Sequence, residues 1–249
     1  MYTTRKFLFY FLFLGITAFI INCQRDQSGG ETSIPNDIKW IRLSIEYQAI
    51  CIQIYRCAWE AVKIANSQLN ENWAVILDID ETVLDNSPYE EMLIEKGLKY
   101  PVQWDEWVNS ANAEPIPGVK AFLDSTRSLG KFAHVVFITN RNAAFEKVTV
   151  ENLKFRDLWS DNDLILCRQD KGDTKEVRRN EVITGTGRCS GMGGWKIIVL
   201  IGDQLPDVAN YSSGLSPEEL SNTFKDSPIW GSQSFVLPNP MYGSWLSGY

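Results

Sequence analysis

The sequence predicts an α/β fold, a parallel sheet covered by helices with a long helical segment ahead of it. Four short β-rich runs, residues 73–79, 133–138, 163–167 and 196–201, each lead into a polar cluster. Stretches of helical character separate them, at residues 118–129, 145–155 and 175–182. Strands that alternate with helices are joined by right-handed crossovers, which makes neighbouring strands parallel. Residues 37–69 contain no Gly or Pro and are apolar around most of a helical circumference, which adds the helical segment.

At the start of the chain, Arg5 and Lys6 precede an apolar run over residues 7–21, which ends at Asn22 and Cys23. This run is shorter than the roughly twenty residues of a membrane span, so residues 1–22 read as a secretory leader. Its abrupt end at a cysteine resembles a bacterial lipobox, with cleavage before Cys23 coupled to lipidation of that residue. Asn22 is bulkier and more polar than the Gly or Ala usual there; an uncleaved N-terminal anchor and plain secretion are the alternatives. Residues 23–36 are polar, hold Gly29-Gly30 and Pro35, and read as a tether to one domain over residues 37–249.

Within residues 37–69, Trp40, Leu43, Tyr47, Ile50, Ile54, Cys57, Ala61 and Ile64 recur at three- and four-residue steps. They predict one long buried helix or two in tandem, packed on the domain itself or on a second copy in a homodimer. Residues 184–194 hold five glycines and read as an exposed loop, without the spacing of a phosphate-binding glycine fingerprint.

Composition narrows the function. With 249 residues, 44 % hydrophobic and 22 % charged, the chain can bury one sizeable core. A net charge of −7 offers no clustered cations to displace counterions, so nucleic acid is not expected as a partner. Cys51, Cys57, Cys167 and Cys189 show no metal-site spacing; the first two lie about 240° apart around a helix, so they cannot pair, and all four read as small buried hydrophobes. His134, the single histidine, falls inside a predicted strand, which argues against chemistry based on a histidine nucleophile or base.

In an open parallel sheet, ligands bind beyond the carboxyl ends of the strands, where the polar clusters stand. The first strand runs into Asp78-Ile79-Asp80-Glu81-Thr82. Two carboxylates this close at the mouth of a buried strand repel each other and resist desolvation unless a cation or a shared proton compensates, and Mg²⁺ is a suitable hard cation. The second strand ends in Thr139-Asn140-Arg141, where a hydroxyl and backbone N–H groups meet a helix start fit for a phosphate. Residues 170–179 supply cations, Lys171 and Lys175 among them, and the fourth strand ends Gly202-Asp203-Gln204-Leu205-Pro206-Asp207.

These four clusters, in this order, resemble the motifs of the haloacid dehalogenase superfamily. The stretch Asp78-Ile79-Asp80-Glu81-Thr82-Val83-Leu84-Asp85-Asn86-Ser87-Pro88-Tyr89, with Trp104-x-x-Trp107, Pro115-x-Pro117-Gly118, Lys175-Glu176-x-Arg178-Arg179 and the Gly202 to Asp207 segment, is similar to the class C bacterial acid phosphatases, lipid-anchored 5′-nucleotidases of the outer-membrane lipoprotein type. The resemblance implies a Rossmann-like sheet with a minimal cap and a bacterial outer-membrane location. It also implies a phosphomonoester substrate, foremost a nucleotide, and one Mg²⁺ per active site held by Asp78, the Asp80 carbonyl and Asp203. Asp78 is the implied nucleophile and Asp80 the acid/base. Thr139 and Lys175, which fits the motif better than Lys171, bind phosphate, with Asn140, Arg141 and Asp207 in support. Trp104 and Tyr242 match positions where the family stacks the nucleobase. Alternatives are sugar phosphates or other small esters as substrates, and a catalytically silent binding lipoprotein, though the acids and lysine that a silent member would lose are all present.

Overall fold

The computed structural model describes residues 34–211 and 214–247. The expected leader, Cys23 and the tether up to residue 33 lie outside the described residues. The Gly- and Pro-free segment forms two helices in tandem, α1 (Asn36–Leu43) and α2 (Ile45–Asn66). Ser44 divides them: its extended backbone stops α1, and its hydroxyl accepts from Tyr47 N at 2.9 Å to cap α2. The buried stripe of α2 runs through Tyr47, Cys51, Tyr55, Ala58 and Val62. Leu43, Ile50, Cys57 and Ile64, expected inside, face solvent instead. A helix that is apolar all round does not declare which face the sheet will cover.

The chain continues through β1 (Trp73–Leu77), β2 (Leu84–Asp85), α3 (Ser87–Glu95), α4 (Trp104–Asn109) and β3 (Glu114–Pro115). Strands β2 and β3 pair antiparallel and bracket the two short helices as a compact insertion. Next come α5 (Val119–Arg127), β4 (Ala133–Asn142), α6 (Glu146–Phe155), β5 (Leu164–Arg168), α7 (Lys175–Thr184) and β6 (Lys196–Gly202). The described chain ends with α8 (Leu205–Val208), α9 (Pro217–Phe224), β7 (Ser234–Val236) and α10 (Ser244–Ser247). Gly118, at φ +94°, lets α2 approach the start of α5: a Cβ there would stand 3.0 Å from the Cα of Ile52.

Strands β5-β4-β1-β6-β7 form one sheet, parallel throughout. All five residues of β1 are buried, as expected of a central strand covered on both faces. Alternate residues serve two cores. Trp73, Val75 and Leu77 pack with α2 and α5, while Ala74 and Ile76 pack with Val182, Cys189 and Trp195. Most of the glycine-rich segment is exposed, as expected, but Cys189 within it and Trp195 just after it are buried in the second core and pin the loop there. From β1 the chain builds outward to β5 on one side, then returns to β6 and β7 on the other. The crevice of such a switch lies at the carboxyl end of β1, where Asp78 follows Leu77 and Asp203 follows β6.

Candidate active site

Asp78 N donates to Ile201 O at 3.0 Å, carrying the β1–β6 ladder one residue past the strand. The backbone then folds over itself, with Val83 N and Leu84 N both 2.8 Å from Ile79 O, and Glu81 takes a positive φ of 56°. From α2, the buried Tyr55 hydroxyl donates to Thr82 O at 2.6 Å, so the N-terminal helix props the loop that carries both acids.

Lys175, the first residue of α7, reaches this loop. Its ammonium donates to Asp78 Oδ1 and forms an ion pair with Asp207 Oδ1 at 2.5 Å, with all three side chains buried. Asp207 is held in turn by a capping box, its Oδ2 accepting from Gln204 N at 3.0 Å. Gly202 makes room for it, since a Cβ there would lie 2.1 Å from Asp207 Cβ. Asp203 accepts from Thr82 Oγ1 at 3.4 Å and from Asn239 Nδ2 at 2.8 Å.

Carboxylate oxygens of Asp78, Asp203 and Asp207 lie within 4.8 Å of one another. Burial, against the opposing pull of Lys175 and with the repulsion of Asp207, Asp203 and Asp80, holds the Asp78 carboxyl well above its ordinary range. Burial and the neighbouring Asp207 push Asp203 up to about 7. Burial draws Lys175 down, but the two carboxylates outweigh it and leave the ammonium more basic than usual. Three converging hard oxygen donors with one internal cation leave excess negative charge in a dry site, which fits a hard divalent cation.

A pH dependence follows. Without a divalent cation, folding takes up a proton on Asp203 between its ordinary range and about 7, so its contribution to stability is full at acid pH and lost as pH rises through 7. The unfolding temperature of the cation-free protein is therefore expected to fall from about pH 5 to about pH 8, and an added divalent cation to remove that loss by favouring the ionised form. A cation-free melting temperature that climbs over this interval would refute the assignment.

Asp80 points elsewhere. Three donors converge on its Oδ1: Arg141 Nη2 at 2.7 Å, Arg141 Nε at 3.0 Å and Asn86 Nδ2 at 2.8 Å. Asn86 is fully buried and also receives Trp107 Nε1 at 2.7 Å on its own carbonyl oxygen, while its backbone N–H donates to Glu81 Oε1 at 2.7 Å. Arg141 sits 5.7 Å from the centre of the Trp104 ring, a cation–π contact, and Tyr89 and Tyr100 meet that ring edge-on. A cavity of about 450 Å³ opens over this floor, lined by Asp78, Asp80, Lys175 and Asp203 at the bottom and by Trp104 and Tyr242 on its walls.

The structure thus gathers Asp78, Asp80, Asn140, Arg141, Lys175, Asp203, Asp207, Trp104 and Tyr242 around one cavity. Thr139 is buried, its hydroxyl accepting from Arg141 N at 3.1 Å and its carbonyl from Arg178 Nη1, while Asn140 and Arg141 reach the cavity wall. Lys171 is exposed and lines an adjoining cavity. His134 stacks on Trp195 at 3.9 Å, and burial lowers its pKa, which suits a packing residue. Sequence reasoning assigned no role to Glu81, Asn86, Asn239 or Tyr55. Only the unusual Asp-Asn-Ser-Pro run after the acids pointed toward Asn86.

Comparison with known proteins shows the family and the fold. The family model described as HAD superfamily, subfamily IIIB (acid phosphatase) matches residues 17–245. The class C acid phosphatase from Bacillus anthracis superposes with a TM-score of 0.71 at 30 % identity, covering 84 % of each chain, and its tungstate-bound form does so equally well. Acid phosphatase 1 of Solanum lycopersicum is 31 % identical over 175 residues, 67 % of this chain and 57 % of the relative. The stem 28 kDa glycoprotein of Glycine max is 29 % identical over 173 residues, 67 % of this chain and 58 % of the relative. The chain spans less than three-fifths of the length of these two relatives.

Proposed function

Because the chain belongs to the acid phosphatases of HAD subfamily IIIB, we propose that it hydrolyses phosphomonoesters, nucleoside 5′-monophosphates foremost, through an aspartyl-phosphate on Asp78 with one Mg²⁺ in the site. The observation that carries this reading is the buried Lys175 between Asp78 and Asp207, beside Asp203. A lysine so placed pulls against burial toward the ionised carboxylate that attacks, and it offers a positive charge to the phosphoryl oxygens.

In the proposed sequence, the Asp78 carboxylate attacks phosphorus as the bond to the ester oxygen breaks, and Asp80 gives its proton to the departing alkoxide. Water then attacks the aspartyl-phosphate and loses a proton to Asp80, releasing inorganic phosphate and restoring Asp78. Arg141 and Asn86 crowd Oδ1 of Asp80, which orients the carboxyl and leaves Oδ2 for the proposed proton exchange. Asp78 and Asp203 would hold the Mg²⁺, with Asp207 beside them committed to Lys175; when bound, the cation neutralises charge on the transferring phosphoryl group.

The cavity suits a nucleotide, since its volume falls in the usual range for small-molecule sites, about 300–1,000 Å³, and aromatic walls stand above a charged floor. Phosphate release from a panel of nucleoside monophosphates and small esters, with and without EDTA, tests the reading. Turnover indifferent to chelation removes the cation from it, and equal kcat/KM for nucleotides and small esters removes the nucleotide preference.

Trp104→Ala separates the wall from the floor. Stacking contributes about 1–3 kcal/mol per base, so kcat/KM for nucleotides is expected to fall by about tenfold or more, while a small aliphatic phosphate ester is turned over as before. Equal losses on both substrates would mean that Trp104 acts only through Arg141 and Asp80.

A further inference from the structure

A second cavity, of about 360 Å³, adjoins the first and shares Asn140, Lys175 and Pro206 with it. Arg168, Lys171 and Arg179 line it. Among the described residues none of these three forms an ion pair, although acids outnumber bases in the chain, 31 to 24. Arg179 is the most telling, being only 6 % exposed. Its guanidinium donates to Pro206 O at 2.8 Å, Asp207 O at 3.2 Å and the Asn210 side-chain oxygen, all neutral acceptors. Arg168 Nε donates to Asp170 O at 2.9 Å, again a neutral oxygen, and Lys171 is solvent-facing.

The acids on the same walls do not cancel this charge. Asp173 is taken by Arg188 at 2.9 Å and by Gln169 N at 2.9 Å. Glu176, exposed, and Asp207, held by Lys175, attract Arg179 electrostatically but form no ion pair with it, so the cations on these walls outnumber the acids left to offset them. Guanidinium groups bind phosphate through paired, charge-assisted hydrogen bonds, and a lysine adds a point charge. A cavity with this lining, next to a centre that releases phosphate, is built for the same anion.

We infer that this cavity is a second phosphate-binding site. Its occupant is either inorganic phosphate retained beside the reaction centre or a further phosphate carried by the same substrate. The inference rests on the phosphatase reading for its assay and for the choice of phosphate as the anion, and hydrolysis of a simple ester tests that reading separately.

The experiment uses the full chain with Mg²⁺ and the double variant Arg168→Gln/Lys171→Gln. In the first arm, inorganic phosphate inhibits hydrolysis of a chromogenic monophosphate ester. The wild type should show mixed inhibition, because phosphate at the second site also binds the substrate-loaded enzyme. The variant should show purely competitive inhibition, with kcat for the ester within about twofold of wild type. In the second arm, a nucleoside 3′,5′-bisphosphate is compared with the 5′-monophosphate. If the substrate supplies the second phosphate, the bisphosphate should be favoured about tenfold in kcat/KM by wild type, and the preference should vanish in the variant. A change in the first arm alone assigns the site to free phosphate, and one in the second arm assigns it to the substrate. Competitive inhibition in both proteins with no bisphosphate preference overturns the inference, as does a large fall in kcat for the simple ester, which would place the two cations in the reaction centre itself.

Discussion

Asp78→Asn is expected to lower kcat by about 10⁴-fold or more on every phosphoester, with the fold intact. An amide of the same shape fills the site but is no nucleophile, so no aspartyl-phosphate can form. Lys175 keeps its ion pair with Asp207, and the variant loses one of three mutually repelling buried carboxylates, so its cation-free melting temperature should hold or rise. Two measurements separate the outcomes. Acid-quenched wild type exposed to a labelled phosphoester should carry label on protein, and the variant should carry none. Turnover above about one-hundredth of wild type, with normal melting, would show that another group attacks phosphorus and that Asp78 serves only the cation.

The sequence made the floor of the site legible because each acid follows an apolar run that can only be a buried strand. Asp78 after Leu77 and Asp203 after Gly202 stood at carboxyl ends, where ligands gather, but it took the order of all four clusters and their resemblance to a known family to give them roles. Residues that orient the floor were not legible. Asn86 reaches Asp80 only because Glu81 turns the chain at positive φ, which no periodicity announces. Asn239 reaches Asp203 from the end of β7, a strand of three residues, too short to show an alternation. The glycines were legible only in part. Residues 184–194 read as an exposed loop and are mostly exposed, yet Gly194 also permits close packing, its missing Cβ being 2.3 Å from Ile183 O, and Arg188 ties the segment to Asp173 and Glu181. Composition reports flexibility and close approach with the same residue, and only the neighbours distinguish them.

Removal of Lys175 should have the largest effect on stability. Lys175→Met keeps the length of the side chain and deletes the charge that Asp78 and Asp207 share in a buried setting. Breaking one side of a buried ion pair leaves uncompensated charge and typically costs about 3–5 kcal/mol, so the cation-free variant should melt far below wild type at neutral pH. The loss should shrink on acidification, because protonated carboxyls no longer need the ammonium. Added Mg²⁺ should recover more stability in the variant than in wild type, since the cation then supplies the only positive charge in contact with the three acids. Activity should remain lower by about 10²-fold or more even with Mg²⁺ saturating, because the phosphoryl oxygens lose a charge the cation cannot replace from its own position. Lys175→Arg distinguishes charge from fit: it should restore much of the melting temperature and little of kcat. A variant at position 175 that melts like wild type without Mg²⁺ and turns over at its rate would mean that the ion pairs carry neither the fold nor the chemistry.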